Sequence, residues 1–136
     1  MNSVFVDTSA FLAWRRRTDQ HHEAVAEQFE LLFRDGVGLV TSNQVVGETW
    51  TFLRHRYDYR VALQLLDAID ASAVIEVVFV DEAADHVAFA WLRRFSGPAY
   101  SYVDATSFAL MSSMGLTRVL TLDSDFASAG FEVLPG

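Results

Sequence analysis

Neither cysteine nor lysine occurs in this sequence of 136 residues. The first absence removes disulfides, zinc–thiolate sites and a thiol nucleophile together. The second leaves arginine to supply all ten basic residues against 18 acidic ones, a formal net charge of −8. An acidic chain is a poor generic partner for nucleic acid, whose affinity rests mainly on neutralised phosphates. No apolar run reaches the roughly 18 residues expected of a membrane helix, and the first residues carry no basic-then-apolar leader. The expectation is a cytoplasmic chain with no membrane partner. Repeats, low-complexity tracts and linkers are missing too, and only Gly97-Pro98 marks a clear break. Apolar residues, by contrast, are plentiful: 51% of the chain is hydrophobic, with 11 Phe and 3 Trp. That is enough for a substantial core, and the length is too short for two, so one domain over 1–136 is expected.

Strand and helix patterns alternate from end to end. Short apolar, β-branched stretches predict strands at Val4–Val6, Gly38–Thr41, Val74–Val80, Arg118–Leu122 and Glu132–Leu134. Helical spacing predicts a helix after the first strand and others over Asp19–Arg34, Asn43–Tyr57, Asp58–Ala71, Asp81–Phe95 and Val103–Gly115, with a short turn over Ser124–Gly130. Alternation of this kind implies an α/β fold, a parallel sheet with helices on both faces. In such sheets ligands bind beyond the carboxyl ends of the strands, where the strand order reverses.

Acids stand at that edge. Residues 4–11 read VFVDTSAF and residues 119–126 read VLTLDSDF, so two apolar strands run straight into Asp7 and Asp123. A single Asp in this position could simply cap the next helix; its recurrence asks for more. Glu48 has Val45 three residues before it and Phe52 four after, which reads as an acid interrupting an apolar stripe. Asp104 is followed by Phe108 and Met111 at helical spacing, although Ser101 and Asp104 also have the S-x-x-D spacing of a capping box. If the four acids converge on one cleft, their repulsion forces protonation unless a cation joins them. Oxygen-only ligands select a hard ion, most simply Mg²⁺ or Mn²⁺.

The neighbouring residues divide between plain and functional readings. Asp125 could serve a second ion or start the short helix, and Asp81 reads as a helix N-cap. Thr8, Ser9 and Thr121 flank the proposed site and could hydrogen-bond its carboxylates or do ordinary turn and strand chemistry. His21-His22 is declined as a metal pair, because adjacent residues on a helix do not share a face. The arginines gather at Arg15–Arg17, at Arg54, Arg56 and Arg60, and at Arg93-Arg94; each group could equally be a solvated helix end.

In order and spacing, FVDTSAFLAW, TSNQVVGETWTFL, YVDATSFALM and VLTLDSDF resemble the four acidic motifs of PIN-domain nucleases, most closely the VapC-like toxins of bacterial toxin–antitoxin pairs. The resemblance covers the whole chain. It implies a Rossmann-like parallel sheet in the order 3-2-1-4-5, in which the first and fourth strands are neighbours and Asp81 lies on an outer strand. It assigns Asp7, Glu48, Asp104 and Asp123 to a divalent-metal site, with Asp125 as an accessory acid. The implied activity is cleavage of single-stranded or structured RNA by a metal-activated water attacking phosphorus in line, which leaves a 5′-phosphate. It also implies a homodimer and a small antitoxin that covers the site. With five of the 18 acids assigned to the site, 13 remain against ten Arg, a balance of −3. Arg15, Arg16 and Arg17, just beyond the first helix, are the first candidates to hold the RNA backbone.

Other classes fit less well. Receiver domains and haloacid-dehalogenase-type phosphatases also place Asp at strand ends, but both rely on a site lysine. A von Willebrand A-type adhesion module needs D-x-S-x-S, and here DTSAF puts Phe11 at the second Ser. A PIN nuclease acting in RNA processing without an antitoxin, or a non-catalytic metal-binding module on the same fold, stays open as an alternative. Trp50, Leu53, Tyr57 and Tyr59 are expected to form an apolar partner groove near the third and fourth helices.

Overall fold

The computed structural model describes residues 3–94 and 99–136. Five strands, β1 (Val4–Val6), β2 (Leu39–Ser42), β3 (Ile75–Val78), β4 (Arg118–Leu120) and β5 (Glu132–Leu134), form one sheet in the order β3-β2-β1-β4-β5. Every pairing is parallel, with Phe5 opposite Val40 on one side and Val119 on the other. The central position of β1 explains its unbroken VFV: all three residues are fully buried, as both faces of a parallel strand are covered.

Helices join the strands: α1 (Thr8–Arg15), α2 (His22–Arg34), α3 (Asn43–Arg56), α4 (Tyr59–Ala71), α5 (Glu82–Arg94), α6 (Tyr102–Met114) and the short α7 (Asp125–Ser128). Their ends follow local chemistry. Ser42 caps α3 by accepting from the Val45 amide at 3.1 Å. Asp58 caps α4 through Arg60 and Val61, and Gly115 closes α6 in the left-handed region at φ 67°. Two aromatic groups fill the interior: Trp14 stacks on Phe29 with centroids 4.2 Å apart, and Phe108 meets Tyr100 and Phe126 edge-on at 5.0 Å.

The expected strands three and four run long, and hydrogen bonds show why. The Val80 amide leaves the ladder to donate to Asn43 Oδ1 at 2.9 Å. Past Leu120, the Leu122 and Asp123 amides donate to the hydroxyls of Ser9 and Thr121. Helix α2 begins at His22 instead of Asp19, because the Asp19 carboxylate accepts from the His21 amide and forms a turn there. The expected helix end at Phe95 and the Gly97-Pro98 break lie outside the described residues. Among the described residues no helix is long and apolar enough to cross a membrane.

Candidate active site

Parallel pairing brings the carboxyl ends of β1, β2 and β4 to one edge of the sheet, where Asp104 and Asp123 meet with Asp125, the Asp104 charge reaches Asp7, and Glu48 is tied to Thr8, the residue after Asp7. Asp7 follows β1 in the N-cap position of α1, yet its side chain makes no capping hydrogen bond. Its Oδ2 instead accepts from Thr121 Oγ1 at 2.8 Å and from Ser9 Oγ at 3.1 Å. Both hydroxyls are fixed in turn by backbone amides, Ser9 Oγ by Leu122 and Thr121 Oγ1 by Asp123. Asp7 is only 4% exposed. Burial pushes its carboxyl up to about 6, the Asp104 charge adds to the rise, and hydrogen bonds, Thr121's foremost, oppose it.

Asp104 satisfies both of its sequence readings. It completes a capping box, its amide donating to Ser101 Oγ at 3.0 Å while its Oδ2 accepts from the Ser101 amide at 3.1 Å. It also offers an oxygen within 4.8 Å of oxygens from Asp123 and Asp125, all three mutually close. Burial first, then the Asp123 and Asp125 charges, hold the Asp104 carboxyl above its ordinary range. Asp125 is raised by burial and by Asp123, whose Oδ1 accepts the Asp125 amide at 2.9 Å. As the first residue of α7, Asp125 likewise starts a helix and faces the cluster.

Glu48 arrives differently from expectation. The buried stripe of α3 is Val45, Thr49 and Leu53, and Glu48 lies off it on the exposed side. It does not interrupt the apolar face, because residues at i, i+4 and i+8 from Val45 take that face. What holds it near the site is Thr8, whose Oγ1 donates to Glu48 Oε1 at 2.6 Å. Ser9 and Thr121 thus serve Asp7, and Thr8 serves Glu48.

The arginine run splits instead of lying together past the helix. Arg15 is still within α1 and lies over the Trp14 ring at 5.0 Å. Arg16 caps the helix, pairs with Asp19 at 3.6 Å, and stands over Phe52 and Tyr57, each at 5.4 Å. Arg17 is exposed. Residues to which sequence reasoning gave no site role line a groove opening from Glu48: Gln44, Phe52, His55 and, opposite, Val103; Arg56 of the second arginine group joins them. A signal was present, since Gln44, Glu48, Phe52 and His55 recur at helical spacing. Asp81 acts as the cap it was read to be, accepting from the Ala84 amide at 2.9 Å. His22 donates from Nδ1 to the Ala13 carbonyl at 2.8 Å, a packing role.

Known proteins share this fold and sequence pattern. The PIN-domain model matches residues 4–132. The chain is 39% identical over 133 residues to the 23S rRNA-specific endonuclease VapC20 of Mycobacterium tuberculosis, covering 97% of this chain and 98% of the relative. The crystal structure of that organism's VapC20, described as a sarcin-ricin loop cleaving toxin, aligns with a TM-score of 0.84 at 37% identity over 94% and 95% of the two chains. VapBC2 from Rickettsia felis, bound to a DNA fragment from its promoter, aligns at a TM-score of 0.72 and 11% identity over 96% of each chain, a likeness of fold. With a family match from β1 into β5 and a relative matched over nearly its full length, this chain belongs to the PIN-domain family, among its VapC-like members.

Proposed function

We propose that this protein is a metal-dependent endoribonuclease in which Asp7, Glu48, Asp104 and Asp123 form the catalytic set and Asp125 is an accessory ligand. One observation carries the reading: oxygens of Asp104, Asp123 and Asp125 lie within 4.8 Å of one another, and the Asp104 charge reaches a buried Asp7. The donor set fits a hard divalent cation, since it offers carboxylates alone; burial first, and neighbouring charges second, raise the proton affinities of Asp7, Asp104 and Asp125, and a bound cation would offset both. Mg²⁺ or Mn²⁺ is the ion we assign. Such an ion supplies a water nucleophile near neutral pH and stabilises charge on the phosphoryl oxygens. The chain's own residues do the positioning: Ser9 and Thr121 aim Asp7, the Ser101 amide holds one oxygen of Asp104, and Thr8 steers Glu48.

Similarity to a named 23S rRNA-specific endonuclease supports RNA as substrate and makes a ribosomal RNA loop the first to try. Arg15, Arg16 and Arg17 are candidates for backbone contacts. Similarity at 37% identity to a structure described as a toxin supports a toxin role, and with it a small antitoxin as partner. The working unit is a single PIN domain over residues 1–136, acting in the cytoplasm. The test is direct: purified protein is expected to cut single-stranded or hairpin RNA with Mg²⁺ or Mn²⁺ and to stop with EDTA. Cleavage that persists in EDTA overturns the metal-dependent reading.

We also propose a homodimer. Leu53, expected on the partner surface, is fully buried, because it continues the core stripe of α3. Tyr57 and Tyr59 are exposed at 40% and 52%, and a cavity of about 550 Å³ beside Trp50 is lined by Leu66, Val77 and Phe79, itself 73% exposed. Those exposed apolar side chains are the surface we assign to the dimer contact. Solution scattering is expected to return twice the chain mass across a concentration series; a constant monomer mass removes the dimer.

A further inference from the structure

The acid cluster poses an electrostatic problem that the site itself does not solve. A polyanionic strand must be held beside five carboxylates, on a chain of net charge −8. The groove along α3 has the needed composition. It encloses about 560 Å³ and begins between Glu48 and Val103, the residue preceding Asp104. From there it runs along the exposed face of α3, past Thr51 and Phe52, to His55 and Arg56 in the last turn. Glu48 and Arg56 are eight residues apart, about 12 Å along a helix. At about 3.4 Å per stacked nucleotide, that is room for three.

The far end is cationic and aromatic at once. Arg16 and Arg56 both stand over the Phe52 ring, at 5.4 and 5.9 Å, so one ring joins two guanidinium groups from different helix ends. Flat guanidinium and phenyl faces are surfaces on which unpaired bases stack, whatever their identity. Gln44, Asn43 and Thr51 add hydrogen-bonding groups to the walls, and a methyl group placed on Gly47 would meet nothing within 4 Å, so the groove is open there. Charge therefore changes sign along the groove, from the acids at one end to arginine at the other.

We infer that this groove holds the single-stranded RNA segment next to the scissile phosphate, with a base stacked at Phe52 and the backbone held by Arg56 and Arg16. The inference rests on the ribonuclease reading above and names positioning residues for it. It moves the backbone contact from the whole Arg15–Arg17 run to Arg56, which lines the end of the groove, and to Arg16, which stands over the Phe52 ring beside it.

The experiment uses fluorescently labelled RNA hairpins and single strands. Binding is measured in an Asp104→Asn background with Mg²⁺ present, so that the RNA stays intact, and cleavage is measured in the otherwise wild-type protein. Arg56→Glu, at an exposed position, is expected to weaken binding at least tenfold, lower the slope of log affinity against log salt by about one, and raise KM more than it lowers kcat. Phe52→Leu keeps an apolar side chain where Phe52 is half-buried; it is expected to weaken binding by about fivefold or more with the salt slope unchanged. Arg56→Lys should restore the slope. Arg60→Glu, the same charge change on α4, is the control and is expected to do little. If wild type cleaves while Arg56→Glu and Phe52→Leu bind and cut like it, or if Arg60→Glu is as damaging, the groove assignment falls alone. If wild type cleaves no RNA at all, the nuclease reading falls and takes the groove with it.

Discussion

Asp104→Asn is expected to lower RNA cleavage by about a thousandfold while leaving the fold intact. The amide retains an oxygen that can accept from the Ser101 amide, so the capping box at the start of α6 survives. What disappears is one negative charge from a group of three carboxylates within 4.8 Å. Electrostatic stabilisation by a held metal is worth several kcal/mol, and about 1.4 kcal/mol corresponds to each tenfold in rate. Ala at Asp7, Glu48 or Asp123 should be comparably severe, and combining these losses should add little, because the acids act through one centre. Asp125→Ala should be milder, as that residue also starts α7 at the rim. The measurement is single-turnover cleavage by wild type and variants purified together, with EDTA controls. Equal rates for wild type and Asp104→Asn would return Asp104 to a helix cap and nothing more.

The second large effect is on stability, and it runs opposite to intuition: Asp7→Asn is expected to stabilise the metal-free protein near neutral pH. Asp7 has an ordinary carboxyl value of 3.8 when unfolded and about 6 when folded. Between those values the folded state binds more protons than the unfolded state, so stability falls as pH rises through the window. Below about pH 3 both states are protonated and the burial penalty is absent; above about pH 7 both are ionised and it is complete. A shift from 3.8 to about 6 corresponds to about 3 kcal/mol. Asn removes the charge and can still accept from Ser9 and Thr121. In urea melts without metal, wild type should therefore lose about 3 kcal/mol between pH 3 and 7 relative to Asp7→Asn. Mg²⁺ should return much of it to wild type only, by binding the folded carboxylates. Parallel pH profiles for the two proteins would remove the buried charge as the cause.

Much of this arrangement was written into the residue order. Strand ends and helix starts are local matters, so VFVD and VLTLD placed Asp7 and Asp123 on one edge once the sheet was known to be parallel. The S-x-x-D spacing at Ser101 was also legible, but it could not reveal that Asp104 is both cap and cluster member, because that depends on where β4 sits. Glu48 was misjudged for a geometric reason: Phe52, the apolar residue four positions on, lines the groove, while Leu53, five on, belongs to the core. The arginine run was opaque for a similar reason. A helix end falls inside it, and the Arg15 and Arg16 guanidinium groups lie over different rings. Ser9 and Thr121 could be listed as neighbours of the site, but their joint hold on Asp7 spans 114 residues of sequence and is a tertiary fact.

That span has a consequence in time. A chain is made from its amino end at about 5–20 residues per second, so Asp7 emerges about 6 to 23 seconds before Thr121, its partner 114 positions away. Until β4 arrives, β1 lacks one of its two neighbours, Asp7 lacks the hydroxyl that holds it, and Asp123 does not exist. A nascent chain therefore carries Asp7, Glu48 and Asp104 before the residues that would complete the proposed centre. On the proposed reading, a chain halted before β4 should neither hold the metal nor cut RNA.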